Sequence, residues 1–158
     1  MVRASSTARF LVALVAAAIA APAFFTLSLR ALLYPSEILT SDFWARTFAY
    51  SIATVTFGGL GAFVILGICY GWALNQNSPR KVDIFFASFI AALLHSIVGF
   101  VMGSVSGGAA MLLGFYFEFA ALLDHLPATY GWVLAAKVVG GLAAGALFLS
   151  VLAMRSSE

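Results

Sequence analysis

The sequence predicts an all-α integral membrane protein: a bundle of four transmembrane helices with a short interfacial helix on its outer side. Three observations carry that prediction. The 158 residues are 63% hydrophobic and 9% charged, with a mean hydropathy of +1.07, where a soluble domain averages about 45–50% apolar and about 25% charged residues. A water-soluble globule of this size leaves much of its surface exposed and could not hide so much apolar area. Second, four stretches reach the roughly 20 apolar residues needed to cross a hydrocarbon core about 30 Å thick. Third, the last three of these carry small residues four apart, the spacing at which helices in lipid approach closely.

The chain reads as one polytopic membrane domain, residues 1–158, with spans at about 10–33, 46–74, 83–104 and 130–154. The first span holds Pro22, a predicted kink, and Arg30 late in its run. Its start, with Arg3, Arg9 and the small residues Ala18-Ile19-Ala20, also fits a cleavable signal peptide. Against cleavage, "FFTLSLRALLY" follows at once and extends the apolar run to spanning length, so an uncleaved helix is expected. The second span ends in "NQNSPRKVD", whose Asn, Ser and Pro suit a turn. The third runs into "GSVSGG", a Gly-rich helix end. Residues 109–125, short for a span and carrying Glu118, read as an interfacial or re-entrant segment, with a fifth span as the alternative. Pro127 precedes the fourth span, and Tyr130 and Trp132 suit a membrane interface, as do Tyr34, Trp44 and Trp72.

Charge placement favours four spans. Lys and Arg collect on the cytoplasmic side, and four spans put Arg3, Arg9, Arg80, Lys81 and Arg155 together there. Glu37, Asp42, Glu118 and Asp124, with Arg46, fall on the other side. Five spans would move Arg155 across and turn Asp124 and His125 to the cytoplasm without a basic residue nearby. The expected setting is a bacterial inner membrane with both termini cytoplasmic; scarce Lys beside abundant Ala and Gly hints at a GC-rich bacterial source. Six arginines and two lysines are too scattered for a nucleic-acid surface. The single cysteine, Cys69, excludes an internal disulfide and reads as a small core residue.

The small-residue stripes run through Thr54, Gly58 and Ala62, and through Gly67 and Gly71, on the second span. On the third they run through Ala87, Ala91, His95, Gly99, Gly103 and Gly107, and on the fourth through Lys137, Gly141 and Gly145. His95 and Lys137 each interrupt such a stripe. At ~1.5 Å per residue their depths differ by only about 3 Å, and Ser51 and Thr54 come to about the same level. An ionisable residue inside a membrane faces the protein interior or a wet cavity and marks a functional site by default. Snorkelling of Lys137 to the interface is the alternative, and a structural hydrogen bond is the alternative for His95. The sequence therefore nominates His95, Lys137, Thr54 and Ser51 as buried polar candidates, and Glu118, Asp124 and His125 as an interfacial edge.

No catalytic residue, cofactor or metal is expected. Haem would need a second histidine at the depth of His95, and His125 lies far from it. Glu118 and His125 stand two helical turns apart, roughly 10 Å, too far to share one ion. No H-E-x-x-H, Walker A, G-x-S-x-G or C-x-x-C occurs. Beyond the lipid bilayer, the expected partners are other membrane proteins or further copies of the chain, with no nucleic acid. Two functions fit: a non-enzymatic accessory subunit of a larger transport or energy-transducing membrane complex, or a small oligomeric transporter or channel with a polar site at His95 and Lys137. An enzyme acting on lipid is a distant third.

Overall fold

The computed structural model describes residues 7–106 and 127–153. Among them all regular structure is helical: α1 (Thr7–Leu33), α2 (Ser41–Leu74), α3 (Lys81–Val105) and α4 (Pro127–Ala153), with one 3₁₀ turn at Pro35–Glu37. These four helices are long and apolar enough to cross a membrane. The segment 109–125, with Glu118, Asp124 and His125, lies outside the described residues, as does Gly107.

The helix ends differ by a few residues from those read off hydropathy, and the caps explain why. Thr40 caps α2 by accepting a hydrogen bond from the Phe43 amide at 3.2 Å, which begins the helix at Ser41 rather than at residue 46. Its polar first turn, with an exposed Asp42–Arg46 ion pair at 2.9 Å, is helical because it is capped. At the start of α3, Asp83 Oδ2 accepts the Arg80 backbone N–H at 2.7 Å, and the Arg80 carbonyl accepts the Asp83 amide at 3.1 Å. α2 has 34 residues, about 51 Å at 1.5 Å each, so it exceeds a hydrocarbon core by several turns.

The helices run up, down, up, down. Phe10 meets Phe148 edge-on at 5.7 Å between ring centroids, while Phe25 and Leu29 pack with Val133 and Ala136 at the other end of the same helix pair. α1 and α4 are therefore antiparallel. Each helix touches its two neighbours in the cycle α1–α2–α3–α4, and α1 with α4 forms the most extensive interface. Glycines set that closeness. A Cβ on Gly140 would strike the carbonyl oxygen of Ala21 and stand 3.1 Å from the Phe25 amide nitrogen. A Cβ on Gly141 would stand 2.8 Å from the Ser88 carbonyl oxygen, and one on Gly145 2.5 Å from Ser88 Oγ. Gly67 faces Leu14, whereas Gly71 is exposed with open space at its Cβ position. Gly99 is buried, and Gly103 lies in the last turns of α3.

The main core gathers Leu14, Leu66, Tyr70, Ile84 and Phe148 with small residues such as Ala13, Ala17 and Ala91, toward the α2–α3 end. Cys69 is a free, buried member of it. Polar side chains are drawn inward. Thr26, Thr47, Ser88, Ser96 and Lys137 are buried, while Phe57, Leu60, Ile68, Phe86 and Ile97 point outward and are more than half exposed. Buried polar groups must be hydrogen-bonded, and Tyr70 shows how. Ser88 Oγ donates to the Ile84 carbonyl at 2.8 Å, so the fully buried Tyr70 hydroxyl is the donor in its 2.9 Å bond to Ser88 Oγ. The two truncations are therefore unequal. Tyr70→Phe should cost about 1 kcal/mol, because Ser88 keeps a partner for its proton. Ser88→Ala should cost more, up to about 3 kcal/mol, by stranding the Tyr70 donor. Thermal unfolding in detergent checks the order.

Candidate functional site

At the middle of the bundle, Lys137 Nζ lies 2.9 Å from His95 Nδ1, joining α4 to α3. A bond of that length needs a lone pair on one partner. With Lys137 as the ammonium, it donates to Nδ1 and the imidazole proton sits on Nε2. Lys137 is 8% exposed and His95 is half-buried. The ammonium also stands 5.9 Å from the centroid of the Phe25 ring on α1, within reach of a cation–π attraction. The antiparallel pairing of α3 and α4, fixed by Gly141 and Gly145 against Ser88, brings the two residues to one level.

The pair borders a cavity of about 70 Å³ to which all four helices contribute, with Pro22 and Phe25 from α1, Thr54 and Leu66 from α2, Ser88 and His95 from α3, and Lys137 from α4. Its walls are mostly apolar. Both hydroxyls on its rim are engaged. Ser88 is held as described, and Thr54 Oγ1 lies 2.7 Å from Thr26 Oγ1 across the α1–α2 contact. Between them Thr26 and Thr54 reach backbone carbonyls of Pro22 and Tyr50, at 2.9 and 2.7 Å. Pro22 has no N–H to donate, so α1 lacks one ladder bond beside the cavity. Ser51 is half-buried, gives its carbonyl to Thr54 at 3.2 Å and stays outside the lining. Of the four buried polar candidates, His95, Lys137 and Thr54 therefore meet at one cavity. Ser96 Oγ is buried with no hydrogen-bond partner among the described residues.

Hydrophobic clusters flank the cavity on both sides. Toward the Arg30 end lies a small cluster of Phe25, Leu29, Val133 and Ala136. Toward the α2–α3 end lies the larger core around Tyr70 and Phe148, whose rings stand 4.3 Å apart. Among the described residues no group of His, Cys, Asp and Glu is placed to hold a metal ion.

Beyond that cluster sits an arrangement that hydropathy gave no reason to expect. Arg30 Nε donates to Thr47 Oγ1 at 2.9 Å, and Thr47 passes its own proton to the Phe43 carbonyl. The guanidinium carbon lies 5.4, 5.1 and 5.4 Å from the ring centroids of Tyr34, Phe43 and Tyr50. The signal for part of it was present: Tyr34 follows Arg30 by four residues, one helical turn on the same face. Lysine cannot reproduce the planar stack and the fixed fork together. Arg30→Lys is expected to lower stability by about 1–2 kcal/mol, read as a shift in the unfolding midpoint, with Thr47→Val giving the smaller part of that loss.

Among the described residues, fold and site together define an all-helical chain with four potential membrane spans, built around a lysine–histidine pair at a central cavity. Set against protein-family models, curated proteins and solved structures, the chain finds no match in any of the three.

Proposed function

We propose that the chain is a small multi-pass transport protein of a bacterial inner membrane, with Lys137 and His95 as its solute- or proton-handling site. The observation that carries the reading is the Lys137–His95 bond at the wall of a cavity shared by all four helices. A lysine at the centre of a span costs about 2.5–3.5 kcal/mol on insertion scales, where a leucine would return about 0.3–0.6. Packing alone gives no reason to keep one there, which favours a functional role.

Insertion itself is supported by the inverted distribution of polarity, with threonines, serines and a lysine inside and large apolar side chains outside, the reverse of a soluble globule. Orientation follows from charge. Arg9, Arg80 and Lys81 stand at the end where α1 and α3 begin, and Glu37 and Asp42 at the other. The positive-inside rule then places the first group, and both termini, in the cytoplasm. Arg30 and Arg46 stand at the outer end, one held among rings and the other paired with Asp42.

A second reading, a non-enzymatic accessory subunit of a larger membrane assembly, is favoured by two glycines of α2. Gly59 and Gly71 leave open space at their Cβ positions, where a helix of another subunit could approach closely. One preparation separates the two. The protein is purified in mild detergent, its particle mass and companions are determined, and it is then reconstituted into vesicles. Flux carried by a particle of this chain alone, and lost in Lys137→Met, supports the transport reading. A defined hetero-complex without flux by the isolated chain rejects it for the second.

A further inference from the structure

We propose that the central cavity is a binding site for a short-chain monocarboxylate, with the carboxylate directed at Lys137 and a chain of one or two carbons against Phe25, Ile65 and Leu66. This deepens the transport reading and rests on it for the physiological role of the site. Size sets the first limit. A cavity of about 70 Å³ is roughly half of the 150 Å³ apolar cavity that holds a benzene. Sugars, nucleotides and most amino acids are too large, and the remaining candidates have about three to five heavy atoms.

Chemistry sets the second limit. The hydroxyls on the rim are committed: Thr54 to Thr26 and its own helix, Ser88 to Ile84 and Tyr70. Polar discrimination therefore falls to the side of the cavity that Lys137 and His95 line. The opposite walls are hydrocarbon. A site with a cation on one side and apolar walls on the other selects a ligand with an acceptor head and an apolar body. A halide has no body to place against those walls, and a hydrocarbon has no head for the ammonium.

A second cation lies on α1. Arg30 is five residues beyond Phe25 on α1, about 7.5 Å along the axis, next to the cluster of Phe25, Leu29, Val133 and Ala136. Thr47 and three rings hold its guanidinium there. Two cations within one bundle favour an anionic ligand. A focused positive potential raises the local concentration of such a ligand.

The test uses the full chain in mild detergent, at a pH well above the titration of a carboxylic acid. Propionate, propionamide, hexanoate and chloride are titrated against the thermal unfolding midpoint and by calorimetry. Saturable binding of propionate near the millimolar range is expected, a scale suited to five heavy atoms. Propionamide, hexanoate and chloride should bind at least tenfold more weakly, and Lys137→Met should abolish propionate binding. Because the ligand series is read on the unaltered protein, the result stands even if the variant does not fold. No saturable propionate binding, or propionamide or chloride bound as tightly, overturns the assignment. Vesicle flux separates it from the reading beneath it. Propionate binding without flux rejects transport and leaves the site. Flux of protons or another solute without carboxylate binding rejects the ligand and leaves transport.

Discussion

Gly140→Leu is expected to abolish the folded bundle, and Gly140→Ala to destabilise it by about 1–3 kcal/mol, the usual cost of overpacking a tight contact. A Cβ at this position would run into the Ala21 carbonyl oxygen, with the Phe25 amide nitrogen at 3.1 Å and Phe25 Cβ at 3.2 Å. The obstacle is backbone, not the end of a flexible side chain, so relief requires α1 and α4 to separate. Those two helices share the bundle's largest interface, and separating them loosens Phe25, Val133 and Ala136 at once. The control is the same substitution where nothing stands in the way. Gly59 and Gly71 have open space at their Cβ positions, and alanine there should stabilise, since glycine inside a helix costs about 1 kcal/mol relative to alanine. The sign of Gly→Ala thus reverses between α4 and α2. Denaturant unfolding of the three variants in one detergent reads it, and equal stability of Gly140→Ala and Gly71→Ala would show that the α1–α4 contact is looser than described.

Gly140 also marks where sequence reasoning stopped. Spacing of four picks out one helix face at a time, and on the fourth span it picked Lys137, Gly141 and Gly145. Those residues do face a neighbour, α3, through Ser88. Gly140 lies one position away, so it points about 100° around the helix and meets α1 instead. A helix in a square of four needs two contact faces, and a single stripe reveals one. The four long apolar stretches were legible because crossing hydrocarbon demands length and composition, both local properties. Helix ends were less so: α2 starts at Ser41 because Thr40 caps it, and a hydropathy window does not weigh one hydroxyl.

The site divides in the same way. His95 and Lys137 were legible as interruptions of apolar stripes at matching depth. Their 2.9 Å contact depends on how far α3 and α4 slide past each other, which Gly141 and Gly145 fix by their fit against Ser88. Ser88 stands seven residues before His95, two turns along the same face, and that spacing was a usable signal for the cavity wall. The Arg30 cluster was not legible as a whole. It takes Phe43, Thr47 and Tyr50 from a second helix, and their meeting with Arg30 depends on the turn at Pro35–Glu37 and on the register of α2 against α1.

His95→Leu is expected to cost about 2–3 kcal/mol, and Lys137→Met about 1 kcal/mol or less, although the two remove the same hydrogen bond. The asymmetry comes from what is left behind. Without His95, Lys137 loses its 2.9 Å hydrogen-bond partner at a site only 8% exposed, and losing a bond made by a charged donor costs more than losing one between neutral groups. Without Lys137, His95 remains a neutral ring, and methionine refills the space of the aliphatic stem. The Phe25 face, 5.9 Å from the ammonium, compensates part of the first loss and nothing in the second. The double variant should then be close to Lys137→Met alone, giving a coupling energy equal to the His95→Leu loss, about 2–3 kcal/mol. That exceeds both the average of about 0.6 and the maximum of about 1.7 kcal/mol for interhelical hydrogen bonds between membrane helices, as suits a bond with a charged donor. Unfolding of the two single variants and the double variant closes the cycle. Additive losses would mean that Lys137 and His95 do not act as a unit, and the cavity would then lose the paired group on which its proposed chemistry depends.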